Sequence, residues 1–385
     1  LAEVIARASR IPVKTIENDD KVEPNRVYVI PPNATLTMEH GRLRLAKRGG
    51  TAADRNSVDN FLVSLAAEQG DNAACVILSG TGSDGTLGLR AIKEHGGLTL
   101  AQEDAEYDGM MRSALATGLV DYVLPAEQLA AKLADYFQYL TDRGQSHAPN
   151  EVRQEFSDYL TQICTLLRNR TGHDFSDYKD RTIARRVQRR MQVLQIDQPR
   201  EFIERLRKEP RELDLLFQDL LIGVTNFFRD HQAFAVLEHK VIPRLFEGKG
   251  ADDTVRVWVA GCATGEEAYS LAMLLREHRH KAQGTPKIHV FASDIDEHAL
   301  AIARTGRYPA AVAKDVSPER LERHFTREDG TYRVVSDLRE ICLFSPHNML
   351  RDAPFSKIDL ISCRNLLIYL NQELQDRVIP LLHYA

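Results

Sequence analysis

Glu266 and Glu267 open a helix directly behind a glycine-bearing turn that ends an apolar strand, in the run Val257–Ala272, VWVAGCATGEEAYSLA. Gly261 and Gly265 permit backbone angles that a side chain disfavours, and they let a ligand lie close against the main chain. The two carboxylates complement the positive end of the helix, and they also select among ligands. A pyrophosphate here meets like charge, whereas an ammonium or sulfonium meets attraction, so a cationic nucleoside fits better than NAD. The simpler reading of the same residues is an ordinary strand-to-helix turn. Further acids and amides stand at comparable places. After the strand Ile288–Ala292, Asp294 is placed to accept hydrogen bonds from both hydroxyls of a ribose, and Asp296 to cap the next helix. Asn348 and Asn365 both fall just beyond strand ends, where open α/β sheets bind ligands. In GVTNFFRD, Phe227 and Phe228 bury the segment and steady Arg229, as the support of a site arginine requires.

A second glycine loop, SGTGSDG, carries a formal GxGxxG at Gly80, Gly82 and Gly85, with Glu103 and Asp104 near the offset of a ribose-binding acid. It opens the reading of a dinucleotide-dependent oxidoreductase. Asp84, however, sits where a pyrophosphate would lie, and a carboxylate on such a loop is better suited to orienting a histidine in a nucleophile, base and acid triad. Arg181, Arg185 and Arg189 line one helix face, with Arg186 and Arg190 beside them. A charge run of this kind reads as a solvated face or as a docking strip for an acidic partner. Nucleic acid fits less well, because no aromatic residues interleave to stack bases.

Elements that alternate strand and helix must position these residues. Val58–Ala67, Ala74–Leu78, Leu87–Glu94, Leu98–Ala101, Gly109–Ala116, Tyr122 and Ala126–Leu140 read as helix and strand in turn, preceded by a β meander over Val27–Leu45. The alternation implies a mostly parallel sheet covered on both faces, and it resumes after residue 250. Between the two lie a polar stretch, TDRGQSHAPNEVRQ, and a helical region, in which Ile183, Val187, Met191 and Leu194 share one face. The fold class expected is therefore α/β, two doubly wound mostly parallel sheets with a small helical subdomain between them and a β insertion near 308–343. The expected domains are 1–140, a linker at 141–154, a helical subdomain at 155–235 and a nucleoside-binding domain at 236–385.

At 385 residues and a net charge of -5, the chain has material for two or three domains and no global attraction to nucleic acid or acidic lipid. Five scattered cysteines, Cys75, Cys164, Cys262, Cys342 and Cys363, read as reduced thiols of a cytoplasmic protein. No CxxC pair suggests zinc, no metal is expected, and no apolar run is long enough to cross a bilayer.

The motifs resemble two families. VILSGTGSDGTLGLRAIKEHGGLTLAQ and DGMMRSALATGLVDYVLP are similar to the catalytic domain of the chemotaxis receptor methylesterases, the CheB family, over about Leu1–Leu140. That resemblance makes Asp84 the triad acid. The family's serine turn and histidine motif are absent from this sequence, and His40 and His95 sit at turn positions, so methylesterase activity is not expected from the chain as given. From Phe156 to Ala385, the ordered motifs TNFFRD, AGCATGEEAYS, ASDID, HNML and CRNLLIYL resemble the chemotaxis receptor methyltransferases, the CheR family. The resemblance implies S-adenosylmethionine as cofactor, held by Thr225, Arg229, Glu266, Asp294, Asn348, Met349, Asn365 and Leu366. For the transfer itself, Arg229 and Tyr369 are the candidates to orient or balance the acceptor glutamate; the resemblance implies a chemoreceptor-like protein as partner, its acidic helices docked by Arg181, Arg185 and Arg189. Gly223 departs from the asparagine common in the family. The chain reads as starting mid-domain and ending before the last strands of its sheet. Two readings compete with protein-glutamate O-methyltransferase: a non-catalytic signalling adaptor and the oxidoreductase.

Overall fold

The computed structural model describes residues 1–47, 57–144, 152–176, 178–221, 223, 225–280, 285–309, 312–313, 315–328 and 331–385. The middle of the expected linker, 145–151, and the turn residues Asp329 and Gly330 lie outside them. The chain forms two compact units, one of Leu1–Ala148 with Gln188–Asp197, the other of Pro149–Val187 with Gln198–Ala385.

In the second unit four parallel strands form one sheet, in the order Cys342–Pro346, Lys287–Asp294, Thr254–Ala260, Leu360–Ser362. Its central strand is covered on both faces, which is why its sequence, TVRVWVA, is nearly continuous in apolar residues: Val255, Val257, Trp258, Val259 and Ala260 are all buried. Registers Ser293 with Ala260, Asp294 with Pro346 and Ser362 with Val259 bring the carboxyl ends of all four strands to one edge. The Trp258 indole N–H ties the middle of the sheet together by donating to Ser293 Oγ at 2.9 Å. Helix Glu266–Arg279 buries Ala268 to Leu275 against this sheet. Gly265 caps that helix at φ 93°, where a Cβ would stand 2.8 Å from Ala303 Cβ, so both backbone and space demand glycine.

Helix Glu297–Thr305 begins on the Asp296 side chain, which accepts the His298 and Ala299 N–H groups, and ends at Gly306 in the left-handed region. An antiparallel sheet follows, ordered Arg307–Pro309, Thr331–Val334, Phe325–Glu328, which is the expected β insertion. The helical part comprises Val152–Thr171, the start of Asp180–Leu194, Pro199–Lys208 and Pro210–Leu220. Proline sits at the first turn of the last two, where its missing N–H removes no helical bond.

The first unit carries a parallel sheet ordered Ala74–Ile77, Leu98–Gln102, Tyr122–Leu124, with helices Ser57–Gln69 and Thr86–Glu94 among its elements. Of the expected meander, Ala34–Glu39 and Arg42–Lys47 form an antiparallel hairpin. Val27–Val29 instead pairs in parallel with Val13–Thr15, a long-range partner that the alternation of its own residues does not encode.

The arginine face divides. Arg181 and Arg185 are exposed, but Arg186, Arg189 and Arg190 are buried. Arg189, only 2% exposed, donates to the Gly97 carbonyl at 3.0 Å and to Asp121 at 2.6 Å, and Lys93 meets the same carboxylate at 3.0 Å. Arg189 therefore does not belong to a docking strip; its charge is spent inside the first unit. Burial pushes the Asp121 carboxyl up, but Arg189, Lys93 and Arg190 together hold it well below the usual carboxylate range. Hydroxyls of Tyr122 and Tyr139 donate to Val193 and Ile196 carbonyls, fixing the same segment.

Candidate functional site

A cavity opens at the carboxyl edge of the second unit's parallel sheet, where such sheets bind ligands. The structure brings Thr225, Arg229, Asp294, Asn348, Met349, Asn365, Leu366 and Tyr369 to its wall. It does not bring Glu266. That carboxylate turns into the protein, is 6% exposed and accepts the Thr264 hydroxyl at 2.6 Å, close to the buried Tyr308. Glu267 lines the cavity instead. Successive helical residues point about 100° apart, so only one of two adjacent glutamates can face the cavity. Ser362 donates to Glu267 at 2.6 Å, and the Arg364 guanidinium lies 3.5 Å away.

Asp294 sits at the end of its strand, half-buried in the cavity wall. Its two oxygens accept the Ala263 N–H at 2.7 Å and the Asp296 N–H at 3.0 Å. Burial raises its pKa above the ordinary value, partly opposed by those backbone donors. A desolvated carboxylate with lone pairs left over is well suited to a vicinal diol. Asn348 Oδ1 is occupied by the Leu350 N–H at 3.0 Å, which fixes the amide so that Nδ2 faces His173 Nδ1 at 3.4 Å. His173 stacks on Phe217, and burial followed by the Arg351 charge lowers its pKa.

His173 and Tyr178 are cavity residues that the motifs do not reveal, since both come from the loop preceding helix Asp180–Leu194. The Tyr178 hydroxyl is pushed up to about 12 by burial and then by Asp294. An isolated bridge pairs Tyr178 with Leu370, and Lys179 donates to the Tyr369 and Ile368 carbonyls. Four non-glycine residues around the cavity lie in the left-handed region: Phe228 at φ 50°, Asp230 at 65°, Ala263 at 45° and Asn365 at 58°.

Asp84 stands in the first unit. Its carboxylate accepts the Val58 and Asp59 N–H groups at 3.1 and 2.9 Å, while Asp59 accepts those of Gly85 and Gly88, both at 2.9 Å. The two aspartates thus cap each other's helices. At the first glycine of SGTGSDG, a Cβ on Gly80 would stand 2.4 Å from Met110 Sδ and would displace that side chain. His40 holds a tight turn at φ 52°, and His95 Nδ1 meets the Ala91 carbonyl at 2.9 Å. Among the described residues no group of three or more His, Cys, Asp or Glu forms a metal site, and no helix is long and apolar enough to cross a membrane.

Residues 158–221 match the CheR methyltransferase all-alpha domain and residues 223–385 the CheR methyltransferase SAM binding domain. A chemotaxis protein methyltransferase of Salmonella typhimurium is 33% identical over 239 residues, covering 58% of this chain and 79% of that protein. This chain belongs to the CheR methyltransferase family. Residues 1–133 match the CheB methylesterase family, so a methylesterase-like domain precedes the transferase. An uncharacterized 104.1 kDa protein of Rhodobacter capsulatus is 38% identical over the whole of this chain, which spans 42% of that protein's length. Among solved structures, the Thermotoga maritima CheB methylesterase catalytic domain is similar at 30% identity and a TM-score of 0.32, covering 35% of this chain and 74% of that one.

The family's SAM binding domain makes S-adenosylmethionine the cofactor. The cavity fits it: Asp294 offers unspent lone pairs, Glu267 a negative charge, and Gly261 a bare stretch of backbone in the wall.

Proposed function

We propose that this chain is a protein-glutamate O-methyltransferase acting on a chemoreceptor-like protein in the cytoplasm. The observation that carries the reading is the convergence on one cavity of two carboxylates, Asp294 and Glu267, with Arg229 and Tyr369. When bound, the cofactor supplies an activated methyl group on a sulfonium, and transfer forms a methyl ester and S-adenosylhomocysteine. Asp294 holds the ribose hydroxyls, Glu267 attracts the ammonium end, and Thr225, Asn348, Met349, Asn365 and Leu366 complete the walls. The acceptor glutamate is already ionised at neutral pH, with an ordinary pKa of ~4.3, so no general base is required. What the chain supplies is alignment and compensation for removing that carboxylate from water; Arg229 and the Tyr369 hydroxyl do both. Arg181 and Arg185, both exposed, dock the acidic receptor helix. Asp84 is the acid of the methylesterase-like domain.

Incubation with labelled S-adenosylmethionine and a chemoreceptor cytoplasmic fragment tests this: base-labile label appears on the fragment and is lost in Asp294→Ala. Binding of S-adenosylhomocysteine with no transfer to the fragment would replace the enzyme with a signalling adaptor.

A further inference from the structure

The turn that carries Arg229 is strained on both sides of it, with Phe228 at φ 50° and Asp230 at φ 65°. Side chains disfavour that region, so the turn persists only where its surroundings hold it. On one side the hold is visible. Phe227 and Phe228 are buried, and the Phe228 N–H donates to Ser270 Oγ at 3.0 Å. On the other side stands Arg364, just past the strand Leu360–Ser362, its side chain 22% exposed and its guanidinium 5.2 Å from the Phe234 ring centre. One guanidinium nitrogen donates to the Arg229 carbonyl at 2.8 Å and lies 3.7 Å from the Asp230 carboxylate. The other faces Glu267 at 3.5 Å. Ser362, two residues before, donates to the remaining oxygen of that same carboxylate at 2.6 Å. One planar group therefore spans the turn of the acceptor-orienting arginine and the carboxylate proposed to hold the cofactor's ammonium.

We propose that Arg364 is a positioning residue that sets Arg229 in register with Glu267, so that acceptor and methyl group meet in line. The inference rests on the methyltransferase reading and deepens it. A rigid fork with donors pointing two ways is what the bridge requires, and a lysine ammonium, a point charge on a flexible stem, serves only one end of it. Misplacing a group that orients a reactant by about 1 Å costs on the order of 100-fold in rate. The expected signature is a split between binding and turnover: the charge beside Glu267 survives in Arg364→Lys, while the grip on the Arg229 carbonyl does not.

The test uses the full chain with Arg364→Lys, Arg229→Lys and the double variant. Calorimetric titration gives the affinity for S-adenosylhomocysteine, and labelled methyl transfer to a receptor fragment gives kcat and KM. Arg364→Lys is expected to bind S-adenosylhomocysteine within about threefold of wild type and to lose at least tenfold in kcat. In the double variant kcat falls no further than about twofold below Arg229→Lys alone, because Arg364 acts through Arg229. Wild-type turnover in Arg364→Lys overturns the proposal, as does a loss that multiplies in full with that of Arg229→Lys, the mark of a general structural effect. Should Arg364→Lys unfold, Arg364→Gln, which keeps an amide donor but not the charge, is held to the kcat criteria alone. Failure of the wild type itself to bind S-adenosylhomocysteine sinks the methyltransferase reading together with this one, whereas normal wild-type transfer with an indifferent Arg364 sinks this one alone.

Discussion

Asp294 and Asp296 lie two residues apart at the end of one strand, and replacing each by alanine separates cofactor recognition from helix capping. Asp296 accepts the His298 and Ala299 N–H groups at 2.9 and 3.0 Å, so Asp296→Ala removes an N-cap and lowers stability by about 1 kcal/mol. Affinity for S-adenosylhomocysteine should stay within about threefold. Asp294→Ala removes a charged acceptor proposed to take two hydroxyl hydrogen bonds. At the lower end of about 1.5–3 kcal/mol for each bond to a charged group, the loss is about 3 kcal/mol, or roughly 150-fold in Kd.

The stability of the cofactor-free chain moves the other way. Burial raises the Asp294 pKa, so between the unfolded and folded values the native state holds more proton than the unfolded one, and stability falls as pH rises through that window. At pH 8 the fold therefore works against an ionised Asp294. Asp294→Asn, which stays neutral but keeps only one of the two acceptors, should remove that pH dependence of the melting temperature without cofactor and weaken S-adenosylhomocysteine binding. Calorimetric titration at pH 8 and thermal melts on both sides of that window read the two quantities. An Asp294→Ala affinity within threefold of wild type, or an equal loss in Asp296→Ala, refutes the assignment of the ribose to Asp294.

Three further outcomes follow from named contacts. Asp121→Ala leaves Lys93, Arg189 and Arg190 buried without their shared carboxylate, and breaking a buried pair from one side costs about 3–5 kcal/mol; the urea midpoint of the first unit should drop accordingly. Glu277 is raised by burial but held down to about 2 by the His324 and Arg320 hydrogen bonds, so its contribution is present above its ordinary value of 4.5 and disappears as pH falls towards 2. Allowing for partial exposure, that contribution is about 1–2 kcal/mol, and the stability gap between wild type and Glu277→Gln should narrow on acidification in urea titrations between pH 7 and 3. Glu267→Gln should weaken S-adenosylhomocysteine binding about tenfold, while Glu266→Gln leaves it within threefold and lowers the melting temperature instead, because Glu266 is packed against Thr264.

The strand ends and the glycine turn were legible because their signals are local: an apolar run, a glycine and an acid within a few residues define where a parallel sheet presents a ligand. What was not legible depended on rotation or on distant partners. Glu266 and Glu267 carry identical chemistry, and which one faces the cavity is set by the phase in which helix Glu266–Arg279 docks its apolar side, a property of the whole helix. The arginine spacing correctly defines a face, but only the fold shows that Arg189 is covered, because its partners Asp121 and Gly97 come much earlier in the chain. A sequence signal for that cover did exist. Asp121 lies inside the apolar run GLVDYVLP, and an acid carried into a core needs a cation brought to it. An arginine-rich helix is where such a cation is supplied, so an acid stranded in an apolar segment and a basic stripe elsewhere are better weighed as a pair than as two separate surface features.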